Sequence, residues 1–216
     1  MLLSELEFGS FLAYSVRGTD EPSVESQLWM RRLKNERYVG NPPMPMSKYV
    51  AHRLRLRFDD TVLSDILSPS SVLVPVPSSR ISKPATLWVP LLIARALVSE
   101  GLARACEPCL TRVQSLNKAA TADTQDRPTA IQHFESLSAA RLLFPVSEFV
   151  LVDDVVTRGA TLIGAASRPR ETFPNASIKA FAVMRAISTP TEFRGILDPC
   201  VGTIQLSRDG LTVRRP

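Results

Sequence analysis

The stretch FVLVDDVVTRGATLIGAA, residues 149–166, constrains this chain more than any other. Phe149, Val150, Leu151 and Val152 are apolar in succession, which marks a strand buried on both faces, as in a parallel sheet. Two adjacent carboxylates, Asp153 and Asp154, close the run. A Thr/Arg/Gly turn follows, and then small and apolar residues that open a helix. In an open α/β sheet, ligands bind beyond the carboxyl ends of the strands. Neighbouring carboxylates with no lysine beside them are costly to bury without partners. They are therefore expected near solvent, facing a ligand or a metal. Successive strand residues point to opposite sides, so the two should make different contacts. Gly159 lets the backbone turn sharply, and Thr157 and Thr161 bring hydroxyl donors. The free amides at the start of the next helix suit a phosphate. The helix dipole adds only about 0.3–1 kcal/mol, so several amide and hydroxyl bonds must join it. A phosphate cradle beside carboxylates suited to sugar hydroxyls describes a site for a sugar phosphate.

The rest of the chain supplies a frame for such a strand. From about residue 70, SVLVPVPSS reads as a strand and PATLWVPLLIARALVSEG as a helix stopped by Gly101, with Pro90 marking its first turn. PCLTRV is a short strand, QSLNKAATADTQDRPTAIQ a polar loop or mobile arm, and SIKAFAVMRAI another strand. Alternating strands and helices call for a doubly wound α/β sheet. The tail VGTIQLSRDGLTVRR reads as a hairpin turning at Asp209-Gly210. Residues 1–68 are less regular and are expected to form an α/β extension, a hood, on a core of residues 69–216. Within it, FGSFLAYSVRG reads as a strand, and VESQLWMRRLKNER as a helix with Val24, Leu28 and Leu33 on one face. SKYVAHRLRLRFDD fits either a strand, through alternating Arg53, Arg55 and Arg57, or a helix N-capped by Ser47; the helix is preferred.

Composition excludes more than it selects. A chain of 216 residues, 44% hydrophobic and 22% charged, can bury a full core. Its 17 prolines and 9 glycines point to rigid loops. A net charge of +5 permits a polyanionic partner without requiring one. The opening MLLSELEFGS is a poor signal peptide, and LWVPLLIA is too short to span a bilayer, so a cytoplasmic location is expected. Three cysteines argue against a disulfide framework. Cys106 and Cys109 form CEPC, which reads as a redox pair or half of a zinc site, yet no second ligand pair exists and no strand leads into a helix there. His52 and His133 read as surface or packing residues. The arginine stripe at 53–57 reads as a wet face, since no aromatic interleaving supports stacking on bases.

VLVDDVVTRGAT resembles the 5-phosphoribosyl 1-pyrophosphate (PRPP) motif of type I phosphoribosyltransferases. In that family the acidic pair holds the ribose hydroxyls and the Thr/Gly loop wraps the 5′-phosphate. Within it, the chain is most similar to the ComF group. VLVPVPSSR, from Val72 to Arg80, is similar to the first core strand and pyrophosphate loop of that group, and LIARAL to the helix after them. LTRVQSLNKAA and DRPTAIQHF are similar to its flexible arm, and MRRLKNERY to its Leu-Lys element. The likeness spans roughly residues 10–186. Three departures stand out. The zinc ribbon of many ComF proteins is missing, so CEPC does not inherit that role. Arg158 stands where many members have a small residue; it adds a phosphate contact or points outward. Pro169 falls about two turns into the expected helix, where proline costs about 3 kcal/mol, so a short helix or a kink near Ser167 is expected.

The resemblance implies a type I phosphoribosyltransferase-like parallel sheet flanked by helices, with Asp153 and Asp154 at the reacting sugar. It implies 5′-phosphate binding by Thr157, Arg158, Gly159, Ala160 and Thr161, and pyrophosphate binding by Ser78, Ser79 and Arg80. Arg112, Lys118 and Arg127 would approach as the arm closes. Mg²⁺ would arrive bound to PRPP, with no metal held by the protein alone. The acceptor is not legible, and no general base is evident. A sensor that binds PRPP or a nucleotide without turnover, a DNA-associated accessory role, and a homodimer or a place in a larger assembly stay open.

Overall fold

The computed structural model describes residues 1–81, 86–116, 127–142 and 144–216. The strands are β1 (Glu5–Ser15), β2 (Tyr38–Val39), β3 (Met44–Pro45), β4 (Val72–Pro75), β5 (Ala105–Cys106), β6 (Leu110–Arg112), β7 (Leu137–Ala139), β8 (Glu148–Val156), β9 (Ser177–Ile187), β10 (Leu197–Leu206) and β11 (Thr212–Arg215). The helices are α1 (Glu21–Lys34), α2 (Met46–Arg55), α3 (Val89–Ser99), α4 (Ala130–Glu135) and α5 (Ala160–Thr172). Among the described residues, seven strands form one sheet in the order β11-β10-β1-β9-β8-β4-β5. From β1 to β5 every neighbour is parallel, whereas β10 and β11 add an antiparallel edge.

The apolar run of β8 explains this layering. Val150 and Val152 face a core built with Leu33 of α1, Met46 and Leu54 of α2, and Ile93 of α3. Phe149 and Leu151 face the other core, with Phe8 of β1 and Leu162 and Ile163 of α5. The sheet is thus covered on both faces, as the continuous run predicts.

The structure departs from the sequence reading in five places. β1, within the segment expected to stand as an extension, is an inner strand between β9 and β10. Its run from Phe8 to Ser15 is buried throughout, so it belongs in the middle of a sheet. In α1, Val24 and Leu28 are exposed, and the inward residues are Ser23, Ser26 and Leu33. The small serines let the helix approach β1 closely, and Ser26 Oγ accepts from Ser15 N at 3.0 Å. The residue before α2 is Pro45, and Ser47 lies inside the helix, where its amide and hydroxyl donate to the Glu36 carboxylate. Strand β8 continues to Val156, past both aspartates. Finally, α5 is not short, running from Ala160 to Thr172 past Ser167. Pro169 sits close to its C-terminal end, and the helix runs through it to close with Phe173 N on Pro169 O at 2.8 Å.

Other expectations hold. Pro90 lies in the first turn of α3, and Gly101 ends it at φ 75°. The final hairpin turns through Gly210 at φ 82°, with Ser207 N bonded to Leu211 O at 2.8 Å. Among the described residues, no helix is long and apolar enough to cross a membrane.

Helix α4 crosses α5 at Gly164, where an added Cβ would lie 2.6 Å from Ala130 O and 2.8 Å from Phe134 N. Both are backbone atoms, so only displacement of α4 makes room. A Gly164→Ala variant is expected to lose roughly 1–3 kcal/mol of stability, the usual cost of overpacking, read from the midpoint of a urea melt.

Candidate functional site

The site lies where β8 passes into α5. After Val156 the chain turns through Thr157 and Arg158 to Gly159, which precedes α5 at φ 90°. A Cβ there would also sit 2.6 Å from Cγ2 of Ile204 on β10. Only glycine meets both the left-handed backbone and the packing. The first amides of α5 are thereby presented at the end of a helix of 13 residues. Thr157, Arg158, Gly159, Ala160 and Thr161 line one pocket together with Asp153, Arg127 and His133.

The two aspartates do make different contacts. Asp153 lines the pocket, and its Oδ1 accepts from Asp154 N at 2.8 Å. Asp154 instead meets a lysine that its sequence neighbours do not supply. Lys34, the last residue of α1, places Nζ 3.1 Å from Asp154 Oδ2. The expectation of carboxylates without a lysine is therefore corrected by tertiary structure. Burial and the Asp154 charge push the Asp153 carboxyl well above the usual carboxylate range, against the pull of Lys34. Burial lowers the Lys34 pKa, but the charges of Asp154 and Asp153 outweigh it, and the ammonium is held above its ordinary value. Tyr14, at the end of β1, lies in the same field, and burial raises its phenol.

The loop after β4 is laced from behind. Ser78 Oγ donates to Arg80 O at 2.8 Å, and Leu116 N donates to Ser79 O at 2.8 Å. Arg112 was expected on a mobile arm. It is 3% exposed, and its guanidinium donates to the carbonyls of Ser78, Pro77 and His133 and to Ser136 Oγ. It braces the loop and is not free to meet a ligand. Burial lowers its pKa to about 10. Arg127 reaches the pocket, and its Nε is buried without a partner among the described residues. Ser78 and Arg80 are exposed, and Lys118 lies outside the described residues.

Two site residues escaped the sequence reading. His133 is 5% exposed and places Nε2 3.2 Å from Thr161 Oγ1. Burial, followed by the Arg112 charge, lowers its pKa to about 4, so it is neutral near pH 7. Lys34 is the other. Neither stands beside the motif in sequence, so spacing carries no signal for them.

The cysteine pair stays outside this chemistry. Burial pushes the thiols of Cys106 and Cys109 up to about 11, so neither is a poised thiolate. Among the described residues, no three His, Cys, Asp or Glu side chains gather as a metal site.

No family model matches the chain, and no curated protein matches it. Solved structures give loose likenesses. Adenine phosphoribosyltransferase from Leishmania donovani is 11% identical, with a TM-score of 0.34 over 82% of this chain and 89% of that one. The glutamine mutant from a study of an invariant aspartic acid in HPRTs is 14% identical, with a TM-score of 0.30 over 82% and 91%. Adenine phosphoribosyltransferase from Leishmania tarentolae is 13% identical, with a TM-score of 0.29 over 79% and 90%. At this level of likeness no residue role passes from those proteins to this chain.

Two pH effects follow. The unfolded chain protonates His133 before the folded one does, so its contribution to stability is full above about pH 6.5 and lost towards about pH 4. Plots of Tm against pH for wild type and His133→Gln should diverge in that window, with the wild type falling more steeply. Asp153 has the opposite sign, because its raised carboxyl favours the folded state at low pH and burdens it at high pH. Asp153→Asn should therefore melt above the wild type at pH 8, by roughly 2–4 °C for each kcal/mol relieved, and that advantage should shrink as the pH is lowered.

Proposed function

We propose that the protein binds PRPP and transfers its phosphoribosyl group to an acceptor. The observation that carries this reading is the continuity of β8, the acidic pair, the Gly159 turn and α5, which places the Asp153 carboxylate and the first residues of α5 around one pocket, with Asp154 next to it in the strand. The α5 amides and the hydroxyls of Thr157 and Thr161 receive the 5′-phosphate. His133 holds the Thr161 hydroxyl through its Nε2 at the pocket wall. Asp153 and Asp154 accept hydrogen bonds from the ribose hydroxyls, and the loop of exposed Ser78 and Arg80 and half-buried Ser79 receives the pyrophosphate, with Arg127 facing the pocket.

The bond from C1 to pyrophosphate breaks with its electron pair leaving on pyrophosphate, the sugar carries positive charge, and the acceptor's nucleophile bonds to C1 and loses its proton to solvent or to the departing pyrophosphate. The chain's contribution is to orient the sugar and to stabilise the departing anion. Mg²⁺ enters as part of the substrate, on the phosphate oxygens. The finer placement in the ComF-like group rests on the sequence at 72–80 and 110–134 and belongs to the same proposal. So do a cytoplasmic setting and assembly as a dimer or within a larger complex.

Calorimetric titration of PRPP, with and without Mg²⁺, tests the reading. Binding should require Mg²⁺ and should weaken at least about 100-fold in Asp153→Asn/Asp154→Asn, since two hydrogen bonds to charged groups are lost. Ribose 5-phosphate and a nucleotide serve as controls. A folded wild type indifferent to PRPP would retire the proposal. Binding with no pyrophosphate release, whatever the acceptor, would make the protein a sensor.

A further inference from the structure

The Lys34–Asp154 pair joins positions 120 residues apart, and three features make it part of the site. The helix that presents Lys34 is fixed at both ends. Leu33 is fully buried, and the serine contacts seat the other end of α1 against β1, where Ser26 Oγ accepts from Ser15 N and donates to Ser23 O. The pair also straddles the surface, since the Asp154 side chain is 17% exposed and that of Lys34 47%. An ammonium has three donors, and Asp154 takes one. The Lys34 side chain is half-exposed, and Asp154 is its hydrogen-bond partner among the described residues. Finally, Asp153 Oδ1 accepts from the Asp154 amide, and the charges of both aspartates act on Lys34, which touches Asp154 alone.

We propose that Lys34 is the resident counter-ion of the acidic pair: it stands where a divalent cation would otherwise bind, positions Asp154 for sugar hydroxyls, and offers its remaining donors to the ligand's phosphate oxygens. With Lys34 docked, the ionised pair keeps one net negative charge instead of two. Mg²⁺ demands close, near-octahedral oxygen ligands and dehydrates reluctantly. A carboxylate already holding an ammonium is a poor ligand for it, and the two cations repel. The metal therefore enters only on the phosphates of the substrate. The site selects a phosphorylated diol over a bare cation. The ligand half of this inference rests on the proposed function, whereas the counter-ion half does not.

Mn²⁺ alone is the probe, followed by its paramagnetic broadening of aspartate carboxyl signals in the full chain. The wild type should show no broadening at Asp153 or Asp154. Lys34→Met should acquire it, Lys34→Met/Asp154→Asn should lose it again, and Lys34→Arg should behave as wild type. A wild type that already binds Mn²⁺ at these carboxylates overturns the proposal, and that arm needs no variant. A folded Lys34→Met that takes up no more Mn²⁺ than wild type overturns it as well. In a separate titration, Lys34→Met should bind PRPP roughly tenfold more weakly, a change of about 1.4 kcal/mol, with Lys34→Arg recovering most of the loss. Equal or tighter PRPP binding by Lys34→Met overturns the ligand half. A wild type that ignores PRPP removes the proposed function and leaves the Mn²⁺ comparison to decide the role of Lys34.

Discussion

Strand β8 has no wet side. Its backbone is paired to β4 on one edge and β9 on the other, and its side chains enter two separate apolar cores. Polar groups have no place along such a strand until it reaches the rim of the sheet. Asp153 and Asp154 stand near its end, followed by Val155 and Val156, and then come the turn and α5. The carboxylates and the helix amides are therefore brought together by one continuous piece of chain. Everything else at the site is delivered to that piece from elsewhere.

The deliveries are polar and partly buried. Arg112 arrives from β6 and spends its donors on the carbonyls behind the Ser78–Arg80 loop. Truncating it would leave those carbonyls without donors, a larger loss than the bonds themselves represent. From the final hairpin, Arg214 donates to Ala186 O at 2.7 Å and to Val156 O at 3.5 Å, at the ends of β9 and β8. Arg185 of β9 is nearly buried and pairs with Asp198 of β10. The antiparallel edge is thus bound to the functional rim as well as to the sheet.

The parts legible in the sequence are those set by local pattern. The continuous apolar run of β8, the glycine turn, the proline at the start of α3 and the Asp209-Gly210 hairpin all declare themselves within a few residues. The misread parts depend on distant partners. The inner face of α1 is lined by Ser23 and Ser26, because close approach to β1 favours small side chains over the apolar stripe of Val24 and Leu28. Ser47 looks like a cap but serves Glu36. Arg112 looks like a mobile cation because the loop around it is polar, whereas its carbonyl partners at residues 77 and 78 come from the loop after β4. Lys34 and His133 became site residues only when α1 and α4 were placed.

The position of β1 has a consequence for how the chain is made. Phe8 pairs with Ala180 and Gly9 with Val201, so the strands that flank this one come from far along the chain. During synthesis it emerges before β9 and β10 and has no strand to pair with until they follow. Sheets closed by such distant pairings fold slowly, because the entropy of loop closure is lost before the contacts form. Meanwhile the apolar β1 is an unpaired edge, the kind of segment that nascent-chain chaperones shield.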